Sequence, residues 1–144
     1  MNQTLYEFGT STVTTVGFSL GAALALLDAV FLGMHLPTTV SIKFVGYGLP
    51  RVGNEAWADL VDTLLPGGVT HINNKYDPVP ILPNDSCGFR HPSGEIRIEG
   101  SGDWVACPGQ ENPSTQCIVG AVPDLFSGDI SNHNGPYDGI MMQC

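Results

Sequence analysis

Positive charge is scarce in this chain: 5 lysines and arginines stand against 14 aspartates and glutamates, a formal net charge of −9 over 144 residues. Such a surface repels phosphate backbones and anionic headgroups, which argues against nucleic-acid or polyanion binding. Closely spaced cysteine pairs are also lacking. Cys87, Cys107, Cys117 and Cys144 stand too far apart in sequence to read as a zinc site, so no metal is expected. The amino-terminal run Met1 to Glu7 has neither a basic leader nor an apolar stretch, so no signal peptide is read in this chain. A long membrane-spanning run is absent as well. The most apolar stretch, Leu20 to Leu36, falls short of the ~20 residues a span needs and carries Asp28 near its centre, so no transmembrane segment is expected. There is no internal repeat and no low-complexity tract.

What is present is a loop-rich globular composition: 42% hydrophobic residues, 18 glycines, 11 prolines and only 13% charged residues. That amount of apolar surface supports one core, and a single domain over 1–144 is the expectation. Cys107 and Cys117 bracket the Pro/Gly/Asn/Ser-rich segment Pro108 to Gln116, whose flexible ends a disulfide would clamp; the other reading is two buried thiols. Two sequons, Asn2-Gln3-Thr4 and Asn84-Asp85-Ser86, are compatible with secretion.

Along the chain, Gln3 to Phe8 reads as the end of a helix and Thr12 to Val16 as a β-branched strand. Leu20 to about Met34 is helical and apolar all round, which predicts burial. A second strand follows over Thr39 to Tyr47, a helix from about Asn54 to Leu65, and a third strand over Val69 to Asn73. Strand–helix alternation of this kind predicts an α/β fold with parallel strands, whose functional groups gather at the strands' carboxyl ends. Glu95 to Ile98 alternates like an edge strand, and from Gly100 onward the chain reads as loop with one short helix near Val122 to Phe126.

Gly17-Phe18-Ser19-Leu20-Gly21 matches G-x-S-x-G at the junction of the first strand and the apolar helix. In a nucleophile elbow a tight strand-to-helix turn lifts a serine hydroxyl above the sheet, and Gly17 and Gly21 are expected where a Cβ would collide with backbone. Without that context the pattern is a glycine-rich turn with an idle serine. A serine nucleophile needs an imidazole base, and the imidazole needs a carboxylate to fix its tautomer. In this architecture the order is serine, acid, histidine. Asp77 follows the third strand directly and leads a loop stiffened by Pro78, Pro80 and Pro83; the alternative is a solvated turn aspartate. His35, at a helix end, and His71, within a strand, read as structural. His91 and His133 both occupy later loops, and the pattern favours His133, after the last clear strand, without deciding between them. The backbone N–H of Leu20 is the expected oxyanion donor.

These residues resemble the fungal class 3 lipases, the filamentous-fungal triacylglycerol lipase type, and especially secreted basidiomycete members. The likeness runs over nearly the whole chain. It rests on the elbow with Leu20-Gly21-Ala22-Ala23-Leu24-Ala25, on Gly46-Tyr47-Gly48-Leu49-Pro50-Arg51-Val52-Gly53-Asn54, on His71 to Pro80, on His91-Pro92-Ser93-Gly94-Glu95, and on His133-Asn134-Gly135-Pro136-Tyr137. The resemblance implies a partial α/β-hydrolase fold from the nucleophile strand onward. By position it implies Ser19 as nucleophile, Asp77 as acid and His133 as base, with His91 in a structural loop. The implied activity is hydrolysis of lipid carboxylic esters such as acylglycerols through an acyl-enzyme, without cofactor, in a secreted protein.

Three residues depart from the family pattern: Phe18 where the elbow usually has histidine, Asn134 where aspartate is common, and Cys87 in its loop. Family members also carry roughly as much chain again before the elbow, which supplies a leader, the first strands, the lid and a second oxyanion donor. From this chain alone, the expectation is an elbow strand with an exposed apolar edge, open to self-association. Two rival readings stand beside the lipid hydrolase. One is a catalytically impaired homologue, since one lost oxyanion donor costs ~3 kcal/mol of barrier. The other is an esterase for non-lipid esters of the feruloyl type.

Overall fold

The computed structural model describes residues 2–142, without side-chain detail at Asn2; Cys144, and the side chain of the first sequon, lie outside that description. The helix α1 (Asn2–Phe8) leads into β1 (Thr12–Phe18), α2 (Leu20–His35) and β2 (Ser41–Tyr47). A two-residue strand β3 (Gly53–Asn54) precedes α3 (Glu55–Leu64) and β4 (Val69–Asn74), followed by β5 (Phe89–Arg90), β6 (Glu95–Ile98), β7 (Trp104–Cys107) and α4 (Ile118–Ala121). The main sheet has the order β1-β2-β4-β6-β7, and a small antiparallel ribbon pairs β3 with β5. The first four strands are parallel, as the strand–helix alternation predicts, and β7 closes the far side antiparallel to β6.

The side chains of β2 alternate between the two faces of the sheet, the period-2 consequence of the pleat. Ile42 and Phe44 enter one core with Ala22, Leu26, Ala29 and Val30 of α2 and Val61 of α3. Val45 and Tyr47 pack into a second cluster with Phe18, Ile72, Ile98 and Tyr137. Asn54 starts α3 by accepting a hydrogen bond from the Trp57 amide at 3.0 Å, satisfying one of the unpaired N–H groups of the first turn.

Three expectations about the elements need correction. The helix α2 is not buried all round: its small residues face the sheet, while Leu20, Leu24, Leu27, Phe31 and Met34, spaced four and three apart, form an exposed stripe. Among the described residues nothing covers that stripe, nor the outer edge of β1. Glu95 to Ile98 is interior rather than edge, because Trp104 to Cys107 adds a further strand outside it. Interior placement buries Glu95 and Arg97, and each is used. Glu95 accepts the Ile118 amide at 2.7 Å, and Arg97 donates to the Lys75 and Thr115 carbonyls at 2.9 and 3.0 Å. The segment from 118 to 126 is α4 plus a 3-10 turn at Leu125–Ser127 instead of a helix near Val122–Phe126. Pro123 offers no N–H to continue the helix, and Asp124 caps the new turn through the Ser127 amide at 2.9 Å. Cys107 and Cys117 are joined by a disulfide, with Cα atoms 5.8 Å apart.

Candidate active site

Parallel register brings the ends of β1, β2 and β4 side by side, with Phe18 opposite Tyr47 and Tyr47 opposite Ile72. The residues that leave those ends therefore lie in a row: Ser19, Gly48 and, after a short turn, Asp77. The turn at Ser19 is sharp. Its φ of 54° and ψ of −129° lie in a region non-glycine residues seldom occupy, and the Ser19 amide is tied to the Tyr47 carbonyl at 2.9 Å. Ser19 is the N-cap of α2, yet its hydroxyl does not cap the helix. Its Oγ instead lies 2.8 Å from Nε2 of His133.

A Cβ on Gly17 would overlap the backbone of Gly21 and Ala22, so the turn can form only with glycine there. The same reasoning fails at Gly21, where an added Cβ meets nothing within 4 Å. The second glycine of the elbow is thus not required by backbone collision. Leu20 opens α2, so its N–H has no carbonyl four residues earlier within the helix, and it lies at the positive end of the helix dipole.

Asp77 is fully buried, and its carboxylate divides its two oxygens between two donors. Oδ1 accepts the Val79 amide at 2.9 Å, which fixes the proline-rich loop, and Oδ2 accepts Nδ1–H of His133 at 2.8 Å. A carboxylate can only accept, so the imidazole proton sits on Nδ1 and the Nε2 lone pair is left for the Ser19 hydroxyl. His133 lies in a 3-10 turn, Ile130–Asn134, held to the end of β4 by two bonds: Asn74 Nδ2 donates to the Asn132 carbonyl, and the Asp129 amide to the Tyr76 carbonyl, each at 2.8 Å. Gly48, at φ 54°, lies against the imidazole; a Cβ there would come within 2.8 Å of His133 Cε1 and 3.0 Å of the Tyr137 hydroxyl.

The structure thus brings Ser19, Leu20, Asp77 and His133 together and leaves His91 elsewhere. His91 is buried below the Asp77 loop, where its Nε2–H donates to the Pro80 carbonyl at 2.7 Å and its ring stacks on His71 at 4.9 Å. Burial lowers the His91 pKa to about 4 and that of His71 to about 3, with His71 further lowered by its neighbour. Both are therefore neutral packing elements near pH 7.

Sequence reasoning gave no role to Arg51, Glu111 or Tyr137. The buried Arg51 and the partly buried Glu111 form a bidentate pair at 2.8 and 2.6 Å, and the same guanidinium donates to the carbonyls of Ile81 and Pro83, clasping the loop that begins at Asp77. Burial alone would raise the Glu111 carboxyl, but Arg51 and the His91 amide outweigh it and the net shift is downward. Tyr137 donates its hydroxyl to the His133 carbonyl at 3.1 Å, and burial followed by the charge of Asp77 pushes its phenol well above the usual range. One signal was available for Tyr137, its place four residues after His133. A cavity of about 550 Å³ lies at the opposite end of the sheet, among Leu36, Ile42, Leu64 and Gly68, and contains none of these groups.

Comparison with known proteins gives a consistent answer. The family described as lipase (class 3) matches residues 1–87. A secreted mono- and diacylglycerol lipase 3 of Gibberella zeae is 36% identical over 140 residues, covering 93% of this chain and 44% of the relative. The secreted mono- and diacylglycerol lipase LIP4 of Malassezia restricta is 43% identical over 109 residues, covering 74% and 36%. Among solved structures, lipase II from Rhizopus niveus superposes with a TM-score of 0.82 at 31% identity, covering 97% of this chain and 52% of that one. A triacylglycerol lipase whose catalytic centre is formed by a serine protease triad gives 0.80 at 30%, with the same coverage. The chain spans less than half the length of these two curated relatives.

Proposed function

The chain belongs to the class 3 lipase family and has an α/β-hydrolase fold, and from that premise we propose that it hydrolyses carboxylic esters of lipids, mono- and diacylglycerols among them, through an acyl-enzyme on Ser19. The observation that carries this reading is the unbroken line Ser19 Oγ to His133 Nε2 to Asp77 Oδ2, each step 2.8 Å. In the first half-reaction Ser19 Oγ bonds to the ester carbonyl carbon while its proton passes to Nε2. The carbonyl π electrons move onto oxygen, and the Leu20 N–H at the start of α2 faces that developing charge. The tetrahedral species collapses, the C–O bond to the alcohol breaks, and Nε2 returns the proton to the departing alcohol. Water then repeats the sequence: Nε2 takes its proton while its oxygen bonds to the acyl carbon, the bond from that carbon to Ser19 Oγ breaks, and Nε2 returns the proton to Oγ as the carboxylic acid departs. No step requires a metal or an organic cofactor.

Secretion follows by the same reading, since the relatives are named secreted lipases. The Cys107–Cys117 disulfide agrees with an oxidising compartment, and the Asn84-Asp85-Ser86 sequon lies on an exposed turn.

The test is hydrolysis of p-nitrophenyl butyrate by the purified chain and by Ser19→Ala. The parent should turn over, and the variant should fall to the uncatalysed rate, a loss of roughly 10⁴-fold or more. Equal rates would refute the reading. The same assay decides the rival reading of a catalytically impaired chain: no turnover above background by the parent supports impairment.

A further inference from the structure

The variable position inside the elbow carries Phe18, and its ring turns back toward the histidine. The Phe18 and His133 ring centroids are 4.7 Å apart with 29° between their planes, a stacked pair. Tyr137 stands edge-on to Phe18 at 6.4 Å and 77°, and edge-on to Tyr47 at 5.3 Å and 80°. The phenylalanine is therefore wedged between its own strand and the loop that carries His133.

This contact has an electrostatic side. The face of an aromatic ring carries negative quadrupole charge and attracts a cation placed within about 6 Å of its centroid. In the reaction proposed above, the imidazole is neutral before Ser19 attacks and cationic once it has taken the hydroxyl proton. An attraction that appears only with the imidazolium lowers the barrier without tightening substrate binding. A histidine at position 18 would offer a smaller, polar ring with a proton of its own to place, whereas phenylalanine offers only a face.

We propose that Phe18 is a positioning residue for His133, orienting the imidazole by stacking and stabilising its cationic form through the aromatic face. The inference rests on the reading of Ser19 and His133 as nucleophile and base. Three further titratable or charged groups bear on the ring: Asp77 at Nδ1, the Tyr137 hydroxyl at the His133 carbonyl, and Asp129, which caps the same turn through the Ser131 amide. Of the three, Tyr137 also packs edge-on against Phe18, so its bond to the His133 carbonyl is the one that a substitution at position 18 can disturb.

The experiment measures the rate at which an alkyl fluorophosphonate labels the parent chain, Phe18→Leu and Phe18→Trp from pH 5 to 9, with circular dichroism and thermal melting recorded for each. Leucine keeps the apolar bulk and removes the aromatic face; tryptophan restores a face. Phe18→Leu should label about 3- to 10-fold more slowly on the plateau, with its acid limb displaced to lower pH, and Phe18→Trp should recover most of the parent rate. A Phe18→Leu profile superimposable on the parent's overturns the proposal. So does an equal slowing of both variants with an unmoved acid limb, which would reduce Phe18 to packing. A parent chain that does not label at all overturns this inference together with the hydrolase reading, whereas the first two results overturn this inference alone.

Discussion

Asp77 commits each of its oxygens to one donor: one holds the Val79 amide, and the other holds the imidazole in the tautomer that leaves Nε2 free. Asp77→Asn keeps the shape and reverses that logic. Its amide N–H pointed at Nδ1 makes that nitrogen an acceptor and moves the ring proton to Nε2, which can then no longer accept from Ser19. The expected result is a fall in p-nitrophenyl ester kcat of about 10⁴-fold with an unchanged circular dichroism spectrum; a fall of less than tenfold would contradict the assigned role. At this scale much of the site was legible beforehand, because elbow chemistry constrains both residue types and order. Ser19 and Asp77 follow from position at strand ends. The residues alone favour His133, after the last clear strand, without excluding His91, which fits the same rule; the resemblance implies the choice. The structure separates the two: one ring meets Ser19 and Asp77, and the other meets Pro80 and His71.

At the scale of elements, the loop from Asp77 to Pro83, which follows β4, is held by a residue from the loop that follows the neighbouring parallel strand β2. Arg51, in the exit loop of β2, reaches the carbonyls of Ile81 and Pro83 and is itself neutralised by Glu111, 60 residues away in sequence. Arg51→Met should leave the partly buried Glu111 carboxylate and the Ile81 and Pro83 carbonyls without their donor and destabilise the fold by about 1–3 kcal/mol in urea titration. A midpoint within experimental error of the parent's would show that the clasp is dispensable. This pairing could not be read from the chain, because no local pattern links residues so far apart. The same limit hid β7: four residues between a turn and a proline carry too little alternation to read as a strand, and its pairing with β6 decides it. The exposed stripe of α2 was misjudged for a related reason. Its composition is apolar on every side, and only the packing shows which side meets the sheet.

Across the whole molecule, acid should weaken the fold through its buried histidines. His71 and His91 are held neutral, at pKa values lowered to about 3 and about 4 by burial, while an unfolded histidine titrates near 6.5. As pH falls from about 6.5 toward 3, the unfolded chain binds protons that the folded chain refuses, so stability declines over that window and the loss is complete below it. Glu111, shifted downward, adds to the decline; Glu95, shifted upward mainly by burial, opposes it. His91→Gln, which can still donate to the Pro80 carbonyl, should flatten the dependence of the melting temperature on pH between 6.5 and 4. An unchanged slope would mean that the histidine pair does not govern acid stability.

The central claim is that Ser19 is the atom-bearing nucleophile of an ester hydrolase, and peptide mapping by mass spectrometry tests it most directly. After reaction of the purified chain with a p-nitrophenyl alkylphosphonate, one equivalent of p-nitrophenol should be released, and the single added phosphonyl mass should sit on the peptide containing Gly17-Phe18-Ser19-Leu20-Gly21, absent from Ser19→Ala. An adduct on another residue, or equal modification of the Ser19→Ala chain, would contradict it.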